Sequence, residues 1–118
     1  MTGEEIFGVI IMTGIGFLCG ALFFGIGIWA ERSKKPVHFW TGSTVDPKTV
    51  VDIPAYNREN ARMWKVYSVP YWLCGIFALL SIINIQFSAV SHIMIIVATV
   101  GIVWLILRYN RICKKYIV

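Results

Sequence analysis

Charge is scarce in this chain, and it is absent where it matters most. No Asp, Glu, Lys or Arg falls within residues 6–30, 68–87 or 90–107. A proton-coupled transporter needs a titratable group inside its spans, so that class is not expected. Histidine is limited to His38 and His92. They are expected on opposite sides of a membrane and cannot share one metal within a single copy. Each reads more simply as a polar packing residue than as a proton switch. Cysteine is limited to Cys19, Cys74 and Cys113, with no Cys-x-x-Cys. That excludes a readable disulfide framework or zinc site. No glycine loop follows a strand, so no phosphate cradle is readable. The acids Glu31, Asp46, Asp52 and Glu59 stand in no motif with His, Ser or Cys. An enzyme needs such groups within reach of one another. The expectation is a non-enzymatic protein without metal or cofactor.

What fills the chain is apolar sequence. Of 118 residues, 58% are hydrophobic, in long uncharged runs. The three uncharged stretches predict an all-α membrane protein with three transmembrane helices, one integral membrane domain over residues 1–118. The spans are expected at about 6–30, 68–87 and 90–107, around a loop at 31–66. As a helix, residues 6–30 would run about 37 Å at ~1.5 Å per residue. That is enough to cross a hydrocarbon core of roughly 30 Å with some tilt. The lead MTGEEIF is acidic, the apolar run is long, and no clear cleavage site follows. A permanent anchor is expected rather than a signal peptide.

The first span carries its glycines on two faces. At 100° per residue, Gly14 and Gly25 fall with Gly3 and Ala21 on one side. Gly16, Gly20 and Gly27 fall on the other, and Gly16-x-x-x-Gly20 has the small-x-x-x-small spacing. Helices associate in lipid where small residues let backbones approach. Gly14, Gly16, Gly20, Gly25 and Gly27 are therefore the candidate helix-packing residues. Two small faces suggest a central helix with a neighbour on each side.

Between the first two spans, Lys35-Pro36 ends the helix. His38-Phe39-Trp40 forms an aromatic cluster, and Thr41-Gly42-Ser43-Thr44 reads as a turn. Asp46 is placed to cap a short turn with Pro47 at its first position, and Asp52-Ile53-Pro54 repeats the pattern. From Pro54, Tyr56, Asn60, Met63 and Tyr67 recur at helical spacing. This predicts a cytoplasmic amphipathic helix leading into span two, with Pro70 at the join. Tyr56, Asn57, Asn60 and Trp64 are its candidate partner-facing residues. Asn84 and Gln86, near the far end of span two, are the candidate polar path; the alternative is an interhelical hydrogen bond. Residues 88–92 form the expected link, short enough to make spans two and three an antiparallel hairpin.

All eleven Lys and Arg lie between spans one and two or after span three. The net charge of +5 therefore reads as membrane topology, not nucleic-acid binding. The positive-inside rule puts the N-terminus outside and the C-terminus in the cytoplasm of a cell membrane. Arg108, Arg111, Lys114 and Lys115 are candidate contacts for anionic lipid headgroups. Cys113 within that cluster is a candidate acylation site.

Lys35-Pro36-Val37-His38-Phe39-Trp40-Thr41-Gly42, Val45, Tyr56-Asn57 and Met63-Trp64 are similar to a family of small bacterial three-span membrane proteins of uncharacterised function. Residues 30–75 more distantly resemble the Sdp immunity protein family. That family has a Gly-Tyr-Arg-Thr-like stretch where this chain has Trp40-Thr41-Gly42-Ser43. Its Ala-Asn pair follows the Trp, whereas Asn60-Ala61 here precedes Trp64. The resemblance implies a bacterial membrane and protection against a membrane-active toxin, and it carries no catalytic residues. Two functions stay open: a membrane protein acting through helix packing with a protein partner, as immunity factor or accessory subunit, or a homo-oligomeric channel or transporter subunit.

Overall fold

A computed structural model describes residues 2–38 and 46–118. Phe39, Trp40 and the Thr41–Thr44 turn lie outside the described residues. Three long helices account for most of the rest: α1 (Gly3–Arg32), α2 (Ile53–Leu80) and α3 (Gln86–Tyr116). All three are long and apolar enough to cross a membrane. Together they form a rod of 58 × 23 × 22 Å.

Local chemistry explains where each helix begins. Thr2 and Glu5 form a reciprocal capping box: the Glu5 amide donates to Thr2 Oγ1 and the Thr2 amide to Glu5 Oε2, each at 3.1 Å. This satisfies two amides that the first helical turn leaves without carbonyls. Asp46 caps the short 3-10 turn Pro47–Thr49 by accepting from the Lys48 amide at 2.9 Å, and Asp52 caps α2 by accepting from the Ala55 amide at 3.2 Å. Both starts follow the Asp-Pro patterns of the sequence.

The expected amphipathic cytoplasmic helix does not exist as a separate element. Residues 53–80 form one continuous helix that contains a stretch long and apolar enough to be a span itself. Pro70 removes only the hydrogen bond that its amide would have given to the Val66 carbonyl. The stripe of Tyr56, Asn60, Met63 and Tyr67 is buried. It faces protein, so no bilayer surface is needed to cover it.

The second difference is the hairpin link. It lies at residues 81–85, not 88–92. Polarity is a poor guide to loops here. Ser91 and His92 are helical: Ser91 Oγ donates to the Cys74 carbonyl at 2.9 Å, and His92 Nδ1 meets the Ser88 carbonyl at 2.7 Å. The turn instead contains Ile82, Ile83 and Ile85, all exposed. What makes the turn is backbone closure rather than polarity: the Ile82 amide donates to the Leu79 carbonyl at 3.1 Å, and the Ile83 and Asn84 amides to the Leu80 carbonyl at 3.0 and 3.1 Å.

The third difference is the order of the helices. α2 is the middle helix, packed on α1 along one side and α3 along the other, while α1 and α3 scarcely touch. α1 was expected to be central because it has two small faces, but only one is filled. Against α2, Phe23 of α1 nests among Trp64, Tyr67 and Tyr71, with ring centroids 5.7, 5.1 and 5.0 Å away. Against α3, Tyr67 Oη donates to the Ala98 carbonyl at 3.2 Å.

Candidate functional site

The basic end of the rod is where the chain does most of its non-helical work. Beyond Arg32 the backbone turns across the start of α2 and is held there by two side chains. Asn57 accepts from the Val37 amide through Oδ1 at 3.0 Å. Its Nδ2 donates to the carbonyls of Ser33 and Lys35 at 3.0 and 2.9 Å. Tyr56 Oη donates to the Val37 carbonyl at 2.8 Å and lies 3.4 Å from Tyr109 Oη of α3. A carboxamide offers two donors and one acceptor in a plane, which suits three backbone groups of a bend. Asn60 donates to the Tyr56 carbonyl at 2.9 Å, while its buried Oδ1 has no hydrogen-bond partner among the described residues.

Tyr56, Asn57 and Asn60, expected to face a partner, are thus enclosed within the chain, each at most 1% exposed. Trp64, half-buried, stacks on Phe23. The end of the chain closes the same region. Val50 and Ile117 form an antiparallel bridge. The Val51 amide donates to the Tyr116 carbonyl at 2.9 Å and the Val118 amide to the Thr49 carbonyl at 2.8 Å.

Two ion pairs flank this core, both beyond the uncharged stretches. Lys65 Nζ lies 2.7 Å from Glu31 Oε2, and Lys115 Nζ lies 3.2 Å from Glu59 Oε1. The hydrogen bond from Lys65, with its charge, holds the Glu31 carboxyl below the usual carboxylate range. The hydrogen bond to Glu59 raises Lys115.

The glycines of α1 separate into two populations. A Cβ at Gly16 would stand 2.6 Å from Gly75 Cα and 2.7 Å from the Tyr71 carbonyl. At Gly20 it would stand 2.8 Å from the Trp72 ring, and at Gly27 2.9 Å from the Ala61 carbonyl. These three are the seam with α2. A Cβ at Gly14 or Gly25 would meet nothing within 4 Å. That face is open.

The candidate polar path is not inside a span. Asn84 sits in the link, where its Oδ1 accepts from the Gln86 amide at 3.0 Å, and Gln86 is the first residue of α3. Both are exposed.

Of the four candidate headgroup residues, Arg108 and Arg111 line a groove between α3 and α2 of about 310 Å³. Lys114 is exposed outside it, and Lys115 is engaged with Glu59. The groove also takes Arg62 from α2, which the sequence reading did not connect with the other two. Its signal is faint: Arg62–Val66 and Trp104–Arg108 are each four residues apart, and only the register of α2 on α3 brings them together. No cluster of three or more His, Cys, Asp or Glu able to hold a metal occurs among the described residues.

No protein-family model, curated protein or solved structure matches this chain.

Proposed function

We propose that this is a non-enzymatic, multi-pass membrane protein that acts by presenting one face of α1 to a transmembrane helix of a partner. The open glycine face carries this reading. α1 has two small faces; Gly16, Gly20 and Gly27 are used against α2, and Gly14, Ala21 and Gly25 are left facing outward. In lipid no hydrophobic force drives helices together, and close backbone approach at small residues is what makes a helix–helix seam. The partner is a membrane protein, met either as an immunity factor meets a membrane-active toxin or as an accessory subunit meets its complex. The likeness to the immunity family supports the first form. The charge distribution supports a cytoplasmic location for the basic end and an external N-terminus.

The channel reading relied on Asn84 and Gln86 facing a lumen, and their place at the link removes that support.

The test is in-membrane photocrosslinking with a benzophenone side chain replacing Ala21, an exposed position of the open face. One discrete crosslinked species is expected, lost in Gly14→Leu with Gly25→Leu. A product twice the 13.4 kDa of the chain would make the partner a second copy. Lipid adducts alone would overturn the reading.

A further inference from the structure

The groove between α2 and α3 at the basic end has a composition that helix packing does not require. Three guanidinium groups, those of Arg62, Arg108 and Arg111, line it. None of them has an ion-pair partner among the described residues. The one carboxylate in the lining, Glu59, is already paired with Lys115 at 3.2 Å. The groove therefore concentrates positive charge from two different helices around a volume of about 310 Å³.

The axial order of the lining is as telling as its charge. α2 and α3 run antiparallel, so Arg62 precedes Val66 on one wall while Trp104 precedes Arg108 on the other. On both walls the cation lies toward the basic end and the apolar residue lies one turn, about 6 Å, deeper toward the uncharged stretch. Val66 and Trp104 are both substantially exposed. A soluble anion has no use for an apolar floor. A lipid has its phosphate and its glycerol and acyl region in this order, and Trp belongs at that boundary.

We infer that this groove is a binding site for the phosphate headgroup of an anionic lipid, held by Arg62, Arg108 and Arg111, with its glycerol end against Trp104 and Val66. Guanidinium forks match phosphate oxygens in paired hydrogen bonds, which a lysine ammonium cannot reproduce. Basic pockets between spans are known places for such headgroups. The site differs from a general attraction of the basic tail to the membrane surface. It needs Arg62, fifty or so residues away in sequence, and it does not need Lys114. It does not rest on the open face of α1.

The experiment is native mass spectrometry of the full chain released from a mild detergent, titrated with dioleoyl phosphatidic acid and, separately, dioleoyl phosphatidylcholine. One saturable phosphatidic acid adduct is expected, tighter than any phosphatidylcholine adduct. Arg62→Gln and Arg108→Gln should each weaken it about five- to tenfold, and Lys114→Gln should leave it within twofold. Arg62 is exposed and outside the packed core, and the circular dichroism melting curve of its variant should match the parent. Equal weakening by Lys114→Gln and Arg62→Gln would mean diffuse surface charge and would overturn the site. Displacement of the adduct by equimolar glycerol 3-phosphate would mean a soluble phosphate ligand and would overturn the lipid assignment.

Discussion

Asn57 and Asn60 are one turn apart on α2 and equally buried, yet they are not equivalent. Asn57 satisfies three backbone groups of the bend after α1. Replacing it with Ala strands an amide and two carbonyls, each worth about 1–3 kcal/mol if left dry. We expect Asn57→Ala to lose about 3 kcal/mol, read by denaturant unfolding in micelles. Among the described residues, Asn60 makes one bond, to a carbonyl within its own helix, and buries an Oδ1 with no partner. Removing both the donor and the orphan acceptor with a similar volume is nearly neutral. Asn60→Leu should change stability by less than about 1 kcal/mol in the same measurement. Sequence alone placed the two residues on one helix and could not tell them apart. The difference depends on where a backbone twenty residues earlier runs.

At the scale of elements, the glycines of α1 divide by neighbour. Gly16→Ala puts a methyl against the Gly75 backbone, which cannot yield as a flexible side chain would. A cost of about 2–3 kcal/mol is expected from overpacking at the α1–α2 seam. Gly14→Ala meets open space and should gain up to about 1 kcal/mol from helix propensity. Steric-trap unfolding in bilayer discs would separate the two. The 100° periodicity made the two faces legible from the sequence, because it is a property of one helix. Which face would be filled was not legible, because that depends on the partner helix. The Asp46 and Asp52 caps were readable for the same local reason. The Thr2–Glu5 box is equally local, but that lead is read from the sequence only for its acidity. The hairpin link was misplaced because its short-range turns run through the apolar Ile82, Ile83 and Ile85, which polarity does not mark.

For the whole molecule, the pairs of Glu31 with Lys65 and of Glu59 with Lys115 give stability a slight dependence on pH at its two extremes. Glu31 titrates lower in the fold than its ordinary 4.5, so its contribution is full above about that pH and is lost as pH falls through the lowered value. Lys115 is raised above 10.5, so its contribution is full below that pH and fades as pH rises through the raised value. Both pairs are exposed, and their contributions are small. Melting temperature should therefore show no transition attributable to them between pH 6 and 9, and Glu31→Gln should flatten the acid limb of a pH series. The distribution of basic residues makes a separate prediction. A cysteine replacing Lys34 should react with a membrane-impermeant maleimide only after the inner face is opened. Labelling of intact cells would reverse the orientation. Three spans and a hairpin were legible at this scale because they follow from length and hydropathy. The closed basic end was not, since it is built from contacts between residues 33–37, 49–51 and 116–118 that share no local pattern.

That closure has a mechanical meaning. α2 is joined to α3 at both extremities, by the link at 81–85 and by the pairing of the last residues with the segment ahead of α2. α1 is joined to this loop by its exit bend at Asn57 and is pressed along α2 by the glycine seam, with Cys74 Sγ 3.8 Å from the Met12 carbonyl. The molecule is thus a closed ring of two helices with a third laid against it, and its slack lies opposite the clasp, in a cavity of about 210 Å³ lined by Glu5, Met12, Ser81 and His92.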